Sequence, residues 1–194
     1  NSMIRLGVLG STNGTDLQAI LDAISKKVLI ADVSVVISNK KSAYILERVQ
    51  SYSIPNYFIS HKGLTREEFD SKVTSKLKKY KVDLILLIGF MRILSKEFCI
   101  EWKDKILNVH PSLLPKYAGG MDNDVHKEVL KNNDTETGCT IHFVTEELDA
   151  GPILIQKRCV VENNDTPSTL RQKVQELEGR AFLEAISLFQ NNKN

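Results

Sequence analysis

Leu84-Ile85-Leu86-Leu87-Ile88 is apolar without a break, with Asp83 before it and Gly89 after it. A run this short, closed by a glycine, reads as a strand buried on both faces, and such strands belong to parallel sheets covered by helices. The neighbouring segments agree. Ile4–Leu9 and Val33–Ile37 read as earlier strands, Tyr57–Ile59 as a short third one, and Ile106–His110 as the strand that follows. Helical spacing separates them: Leu17, Ile20, Leu21 and Ile24, then a set around Ala43 to Gln50, then Phe69, Val73 and Leu77. Thr65 with Glu68 three residues on forms a capping box for the last of these, and Ser95 starts a short helix to Trp102. Strands that alternate with helices define an α/β protein with a mostly parallel twisted sheet flanked by helices and a Rossmann-like N-terminal half.

Beyond His110 the pattern continues less regularly. A glycine- and polar-rich loop over 117–124 leads to a helix through Val125, Val129 and Leu130. Thr140, His142 and Val144 share one face of a strand, and Ile153–Gln156 is another. Thr166-Pro167 opens the last helix with an N-cap and an N1 proline; Leu170, Val174, Leu177, Ala181, Ala185 and Leu188 are its expected core face. At 194 residues with 42% apolar content, the chain suits one domain with a full core. Asn1-Ser2 reads as a tag remnant ahead of a native start at Met3, with no signal peptide after it. A net charge of +2 gives no footprint for nucleic acid or an anionic membrane, and no apolar run reaches the ~20 residues of a membrane span. Cys99, Cys139 and Cys159 are too widely spaced for a C-x-x-C site and read as inert buried thiols in a reducing cytoplasm.

Two stretches carry chemistry. Gly10 to Asp16, between the first strand and first helix, is a loop of small and hydrogen-bonding residues that can aim N–H groups and a helix dipole at a phosphate. It lacks the P-loop pattern and the G-x-G-x-x-G spacing, and Ser38-Asn39-Lys40-Lys41 after the second strand supplies no acidic residue for an NAD ribose. The same loop also fits a plain strand-to-helix turn, and the residues alone leave both readings open.

Asn108 and His110 form the second stretch. Two positions apart on a strand, they project to one face, and Pro111 ends the strand there. Asp149, in Leu148-Asp149-Ala150-Gly151-Pro152, completes an amide, an imidazole and a carboxylate. Such a set suits acyl-type transfer without a covalent step. Asn108 and a protonated His110 would donate to an oxyanion, while Asp149 favours the imidazolium or relays protons through water between amines. Alternatively His110 satisfies a backbone carbonyl and Asp149 caps a turn. Ser112 has no G-x-S-x-G around it and is a weak nucleophile candidate.

Asn108 to Pro115, Phe90-Met91-Arg92-Ile93-Leu94, Leu148-Asp149-x-Gly151-Pro152 and Asn13-Gly14-Thr15-Asp16-Leu17-Gln18 together resemble the phosphoribosylglycinamide formyltransferase family of folate-dependent formyltransferases. The likeness runs in order from Ile4 to the last helix. Methionyl-tRNA formyltransferase and formyltetrahydrofolate hydrolase share the Asn-x-His and the later Asp, but are longer by a domain for which this chain has no room. The resemblance implies transfer of a formyl group from 10-formyltetrahydrofolate to the amine of glycinamide ribonucleotide in de novo purine biosynthesis. Attack would be direct, through a tetrahedral intermediate and with no metal. It implies small-molecule substrates, a monomer or homodimer, and a cytoplasmic setting.

Carried over, Asn108, His110 and Asp149 are catalytic; Gly14, Thr15 and Asp16 bind the substrate phosphate; Glu178 holds the ribose hydroxyls. Met91, Arg92, Ile93 and Leu94 with Asn108 match the folate pocket, and Arg66 matches a further ligand-side position. Without the resemblance, Glu178 reads as a solvated helix charge, and Met91, Ile93 and Leu94 as core. One formyltransferase domain over 3–194 is expected, with a phosphate-binding half (about 3–105) and a catalytic and folate half (about 106–194). Two departures stand out. Thr15-Asp16 replaces the family's usual Ser-Asn and puts a carboxyl near the phosphate, and Gly119 to Asp124 differs in length and residues. A formyltetrahydrofolate hydrolase and a non-catalytic nucleotide-binding module are the competing readings.

Overall fold

In the computed structural model, which describes residues 3–119 and 124–192, the apolar run becomes the central strand of a seven-stranded sheet. The strands are β1 (Arg5–Leu9), β2 (Asp32–Ser38), β3 (Asn56–Phe58), β4 (Leu84–Leu87), β5 (Ile106–His110), β6 (Glu136–Phe143) and β7 (Ile153–Val160). Their order is β3-β2-β1-β4-β5-β6-β7. The first five are parallel, while β6 and β7 run antiparallel to their neighbours. The β6–β7 link is too short for a crossover, so the two strands pair as a hairpin.

The helices are α1 (Thr15–Ser25), α2 (Tyr44–Arg48), α3 (Arg66–Lys79), α4 (Lys96–Glu101), α5 (Val125–Lys131) and α6 (Pro167–Asn192), and a short 3-10 turn (Gln50–Tyr52) follows α2. All four β4 side chains are buried and alternate between two cores. Leu84 and Leu86 pack with Leu17, Ile20 and Phe182 on the α1–α6 face, and Ile85 and Leu87 with Phe69, Val73 and Trp102 on the α3–α4 face. The capping box at α3 forms as expected: Glu68 N–H donates to Thr65 Oγ1 at 3.1 Å, and Thr65 N–H donates to Glu68 Oε1 at 2.9 Å. Ser95 Oγ caps α4 by accepting from Phe98 N–H. Residues 1–2, expected to be a tag remnant, and residues 120–123 of the expected loop lie outside the described residues.

One correction concerns α6. Leu170, Val174, Ala181 and Ala185 are buried and Leu177 is partly so, but Leu188 is 37% exposed. Phe182, Ile186 and Phe189 are buried instead. From Ala185 the inward stripe advances four residues to Phe189 rather than three to Leu188. The helix also packs on α1, β6 and β7 together, which widens its buried face beyond a narrow seam.

Phe182→Ala should lower unfolding free energy by about 3–5 kcal/mol, whereas Leu188→Ala should stay within roughly 0.5 kcal/mol of wild type. Urea midpoints of the purified variants measure both.

Candidate active site

Strand order reverses between β1 and β4, so their C-terminal loops diverge and leave a crevice, the usual ligand position in open α/β sheets. Ser11 bridges that crevice: its Oγ donates to Asn39 Oδ1 at 2.6 Å and accepts from Met91 N–H at 2.8 Å, and its own N–H donates to Gly89 O. Nothing in the sequence set this serine apart from its loop.

Gly14 then turns the chain into α1 with φ of 68°, and a Cβ there would lie 2.4 Å from Ile45 Cγ1, so only glycine fits. Arg48 holds the loop by donating from Nε and Nη2 to the Asn13 carbonyl at 2.9 and 2.8 Å. No side chain caps α1, and the Thr15 and Asp16 N–H groups in its first turn have no carbonyl within the helix to bond. Gly14, Thr15 and Asp16 thus stand together at a helix N-terminus able to take an anion. Asp16 is buried, and burial holds its carboxyl above the usual carboxylate range against the lowering effect of Glu178 on α6. Glu178 is pushed well above it by desolvation first, then by the charge of Asp16.

The second cluster lies where β5 runs antiparallel to the C-terminal half of β6. Phe143 N–H donates to Pro152 O at 2.9 Å, closing the turn between β6 and β7. A Cβ on Gly151 would sit 1.7 Å from Phe143 O, so glycine is required for this approach. The turn carries Asp149, left-handed at φ of 55°, back over β5. Its carboxylate is 7% exposed, accepts from Gly119 N–H at 2.8 Å and faces His110 Nδ1 at 3.4 Å and His142 Nε2 at 3.7 Å. His110 Nε2 donates to the Tyr117 carbonyl at 2.7 Å, since a carbonyl has no proton to give. The carbonyl contact and the carboxylate contact therefore coexist on the two nitrogens of one ring.

His142, by its sequence only a position on a strand face, joins this cluster. It pairs directly across from Asn108 in the β5–β6 ladder, and Thr140 pairs with His110. The alternation of Thr140 and His142 was the available signal, because polar side chains on an inward strand face require partners. His142 Nδ1 donates to Phe143 O at 3.1 Å, and its Nε2 lies 3.4 Å from Asn108 Nδ2. Desolvation pushes the His142 pKa down, outweighing the Phe143 carbonyl and the Asp149 charge, which push it up. A neutral ring protonated on Nδ1 leaves Nε2 free to accept from the Asn108 amide.

A cleft open in part to solvent rises from this cluster. Phe90, Ile93 and Leu94 give it an apolar wall, Arg92 borders it, and Asn108, His142 and Asp149 form its polar end. His110 lies behind Asp149 rather than on the cleft lining. Met91 is also off the lining, largely exposed, with its N–H on Ser11. Arg66, the exposed first residue of α3, does not line the cleft either. The Arg92 guanidinium lies over the Phe69 ring at 4.2 Å, and its buried Nε has no hydrogen-bond partner among the described residues. Ser112 is fully buried and donates to Lys116 O, which leaves it no nucleophilic role. All three cysteines are free thiols, and burial, then the Glu178 charge, pushes Cys139 up to about 12.

Residues 4–186 match the formyl transferase family model. The chain is 37% identical over 187 residues to phosphoribosylglycinamide formyltransferase of Escherichia coli, covering 96% of this chain and 87% of that one. It is 44% identical over 186 residues to the trifunctional purine biosynthetic protein adenosine-3 of Gallus gallus, covering 95% of this chain but only 18% of that protein. Among solved structures, it is similar to phosphoribosylglycinamide formyltransferase of Coxiella burnetii, with a TM-score of 0.91, 41% identity, and 97% and 87% of the two chains covered. It is also similar to glycinamide ribonucleotide transformylase 1 of Symbiobacterium toebii, with a TM-score of 0.92, 38% identity, and 98% and 89% covered. The chain belongs to the formyl transferase family and, within it, to the phosphoribosylglycinamide formyltransferases.

In a proton NMR titration, His142 should ionise below the ordinary histidine value of about 6.5, and Asp149→Asn should move it lower still by removing a favourable charge. An upward move in that variant would contradict the assigned neutral ring.

Proposed function

We propose that the protein transfers a formyl group from 10-formyltetrahydrofolate to the amine of glycinamide ribonucleotide. The observation that carries this reading is the meeting of Asn108, His142 and Asp149 at one end of an apolar-walled cleft. A folate-type formyl donor follows from family membership. The cleft wall of Arg92, Ile93 and Leu94, with Asn108, is assigned to the folate, and Met91 and Arg66 flank it. Gly14, Thr15 and Asp16 are assigned to the phosphate and Glu178 to the ribose hydroxyls. On this reading 3–105 is the phosphate-binding half and 106–194 the catalytic and folate half of one domain. The protein works in the cytoplasm, a setting supported by its free thiols.

The chemistry is direct. The substrate amine forms a bond to the formyl carbon, and the carbonyl oxygen becomes an oxyanion. Asn108 Nδ2 donates to that oxygen, an interaction gained only as charge develops. His110 is the second donor. Its Nε2 must leave the Tyr117 carbonyl to act, and catalytic hydrogen bonds commonly settle only in the substrate complex. Asp149, held by Gly119 and facing His110, takes the proton lost by the attacking nitrogen through water and returns it to the folate nitrogen as the carbon–nitrogen bond breaks.

A spectrophotometric formyl-transfer assay with glycinamide ribonucleotide present and omitted tests the proposal. Turnover should require the amine, and formate release without it would point to hydrolysis instead. His110→Ala and Asp149→Asn should each lower kcat by about 10²–10³-fold with circular dichroism unchanged, and near wild-type rates in either would refute the assigned roles.

A further inference from the structure

We propose that Arg48 is the residue that makes the site demand a phosphate: it holds the Asn13 carbonyl on the α2 side of the loop and sets an unpaired positive charge beside the start of α1. The inference deepens the nucleotide-site assignment above and rests on it.

Arg48 ends α2 and spends its donors on the segment that opens α1. Nε and Nη2 both donate to the Asn13 carbonyl, at 2.9 and 2.8 Å, and Nη1 donates to Gln18 Oε1 at 3.1 Å. A planar fork on one carbonyl fixes its direction as well as its distance. The guanidinium is itself held in place. Its Cζ lies 4.8 Å from the centre of the Tyr44 ring. Gln18 is fixed in turn, its Nε2 donating to Asp22 Oδ1 at 2.9 Å and to the Tyr52 hydroxyl at 3.0 Å.

The consequence falls on the carbonyls of the loop. A carbonyl oxygen turned toward a phosphate would repel it, so an anion site needs N–H groups forward and carbonyls engaged elsewhere. Three consecutive carbonyls meet that condition. Thr12 O accepts from Ile45 N–H of α2 at 3.0 Å, and Asn13 O accepts from Arg48. Gly14 O accepts from the Leu17 and Gln18 N–H groups within α1. Only the middle carbonyl depends on a side chain. The Thr15 and Asp16 N–H groups remain as donors with no carbonyl inside the helix to bond.

Charge is the second part of the argument. Asp16 puts a carboxyl in the first turn of α1, and any negative charge there opposes a phosphate. Among the described residues, Arg48 is the only lysine or arginine hydrogen-bonded to the 10–16 loop. It also forms no ion pair with a carboxylate among those residues, so its charge remains available to an anion.

The test compares glycinamide ribonucleotide with the same amine lacking its phosphate, in wild type, Arg48→Gln and Arg48→Lys, each checked by circular dichroism. Wild type should favour the nucleotide in kcat/KM. In Arg48→Gln that preference should fall by about 10–100-fold, through KM rather than kcat, as for the loss of one charge-assisted contact. Arg48→Lys keeps a charge but not the fork, and its preference should lie between the other two. Inorganic phosphate gives a readout independent of formyl transfer: by calorimetry it should bind Arg48→Gln about tenfold more weakly than wild type. A merely structural arginine would lower turnover of both amines alike. Equal losses on the two amines, or equal phosphate binding by wild type and Arg48→Gln, would therefore overturn the proposal and leave the nucleotide assignment standing. If wild type neither distinguishes the two amines nor binds phosphate, that assignment fails and the proposal with it.

Discussion

Asp149 accepts the Gly119 N–H at 2.8 Å and sets its two oxygens against His110 and His142, and the candidate centre depends on this carboxylate staying there. A charge this buried costs several kcal/mol unless it is paired and hydrogen-bonded. Its left-handed backbone adds a further cost of order 1–3 kcal/mol, which persists only where surrounding contacts over-determine the conformation. Here the contacts come from both sides. Gly151 lets the returning chain press against the Phe143 carbonyl, and the Phe143–Pro152 bond closes the turn. β5 and β6 bring the imidazoles to the carboxylate from below. Remove the glycine or the hairpin, and Asp149 has no reason to lie over β5.

The two acidic centres of the molecule solve the same problem in opposite ways. Asp149 accepts the Gly119 N–H and faces the His110 ring, so its environment supplies a donor. Asp16 and Glu178 have no cation among the groups that shift them, and burial raises both above the usual carboxylate range. The first arrangement suits a group that carries protons during reaction. Both sit where the sheet delivers loop ends: Asp16 at the β1–β4 switch point, Asp149 in the turn between β6 and β7.

The fold was largely legible because its signals are local. The uninterrupted Leu84–Ile88 run, the Thr65–Glu68 capping box and Pro167 at an N1 position each act within a few residues, and the structure realises all three. Asn108 and His110 were legible for the same reason, since a two-residue spacing on a strand fixes a common face. What escaped was set by register between strands. His142 becomes a partner of Asn108 only through the antiparallel β5–β6 ladder, whose alignment no single segment encodes. Leu188 turns outward for a related reason: a helix buried against α1, β6, β7 and α5 has a wider inner face than a stepping rule from Leu170 defines. Asp16 and Glu178, whose charges influence each other, are 162 positions apart in the chain, and nothing local announces that link.

The central claim is that one cleft brings folate and amine together over Asn108 and Asp149. A crystal structure with glycinamide ribonucleotide and an unreactive folate analogue tests it most directly. The account predicts the amine within about 3–3.5 Å of the formyl-equivalent carbon, with Asn108 Nδ2 on the adjoining oxygen and the phosphate on the Thr15 and Asp16 N–H groups. A folate seated away from the Phe90, Ile93 and Leu94 wall, or an amine remote from Asp149, would contradict it.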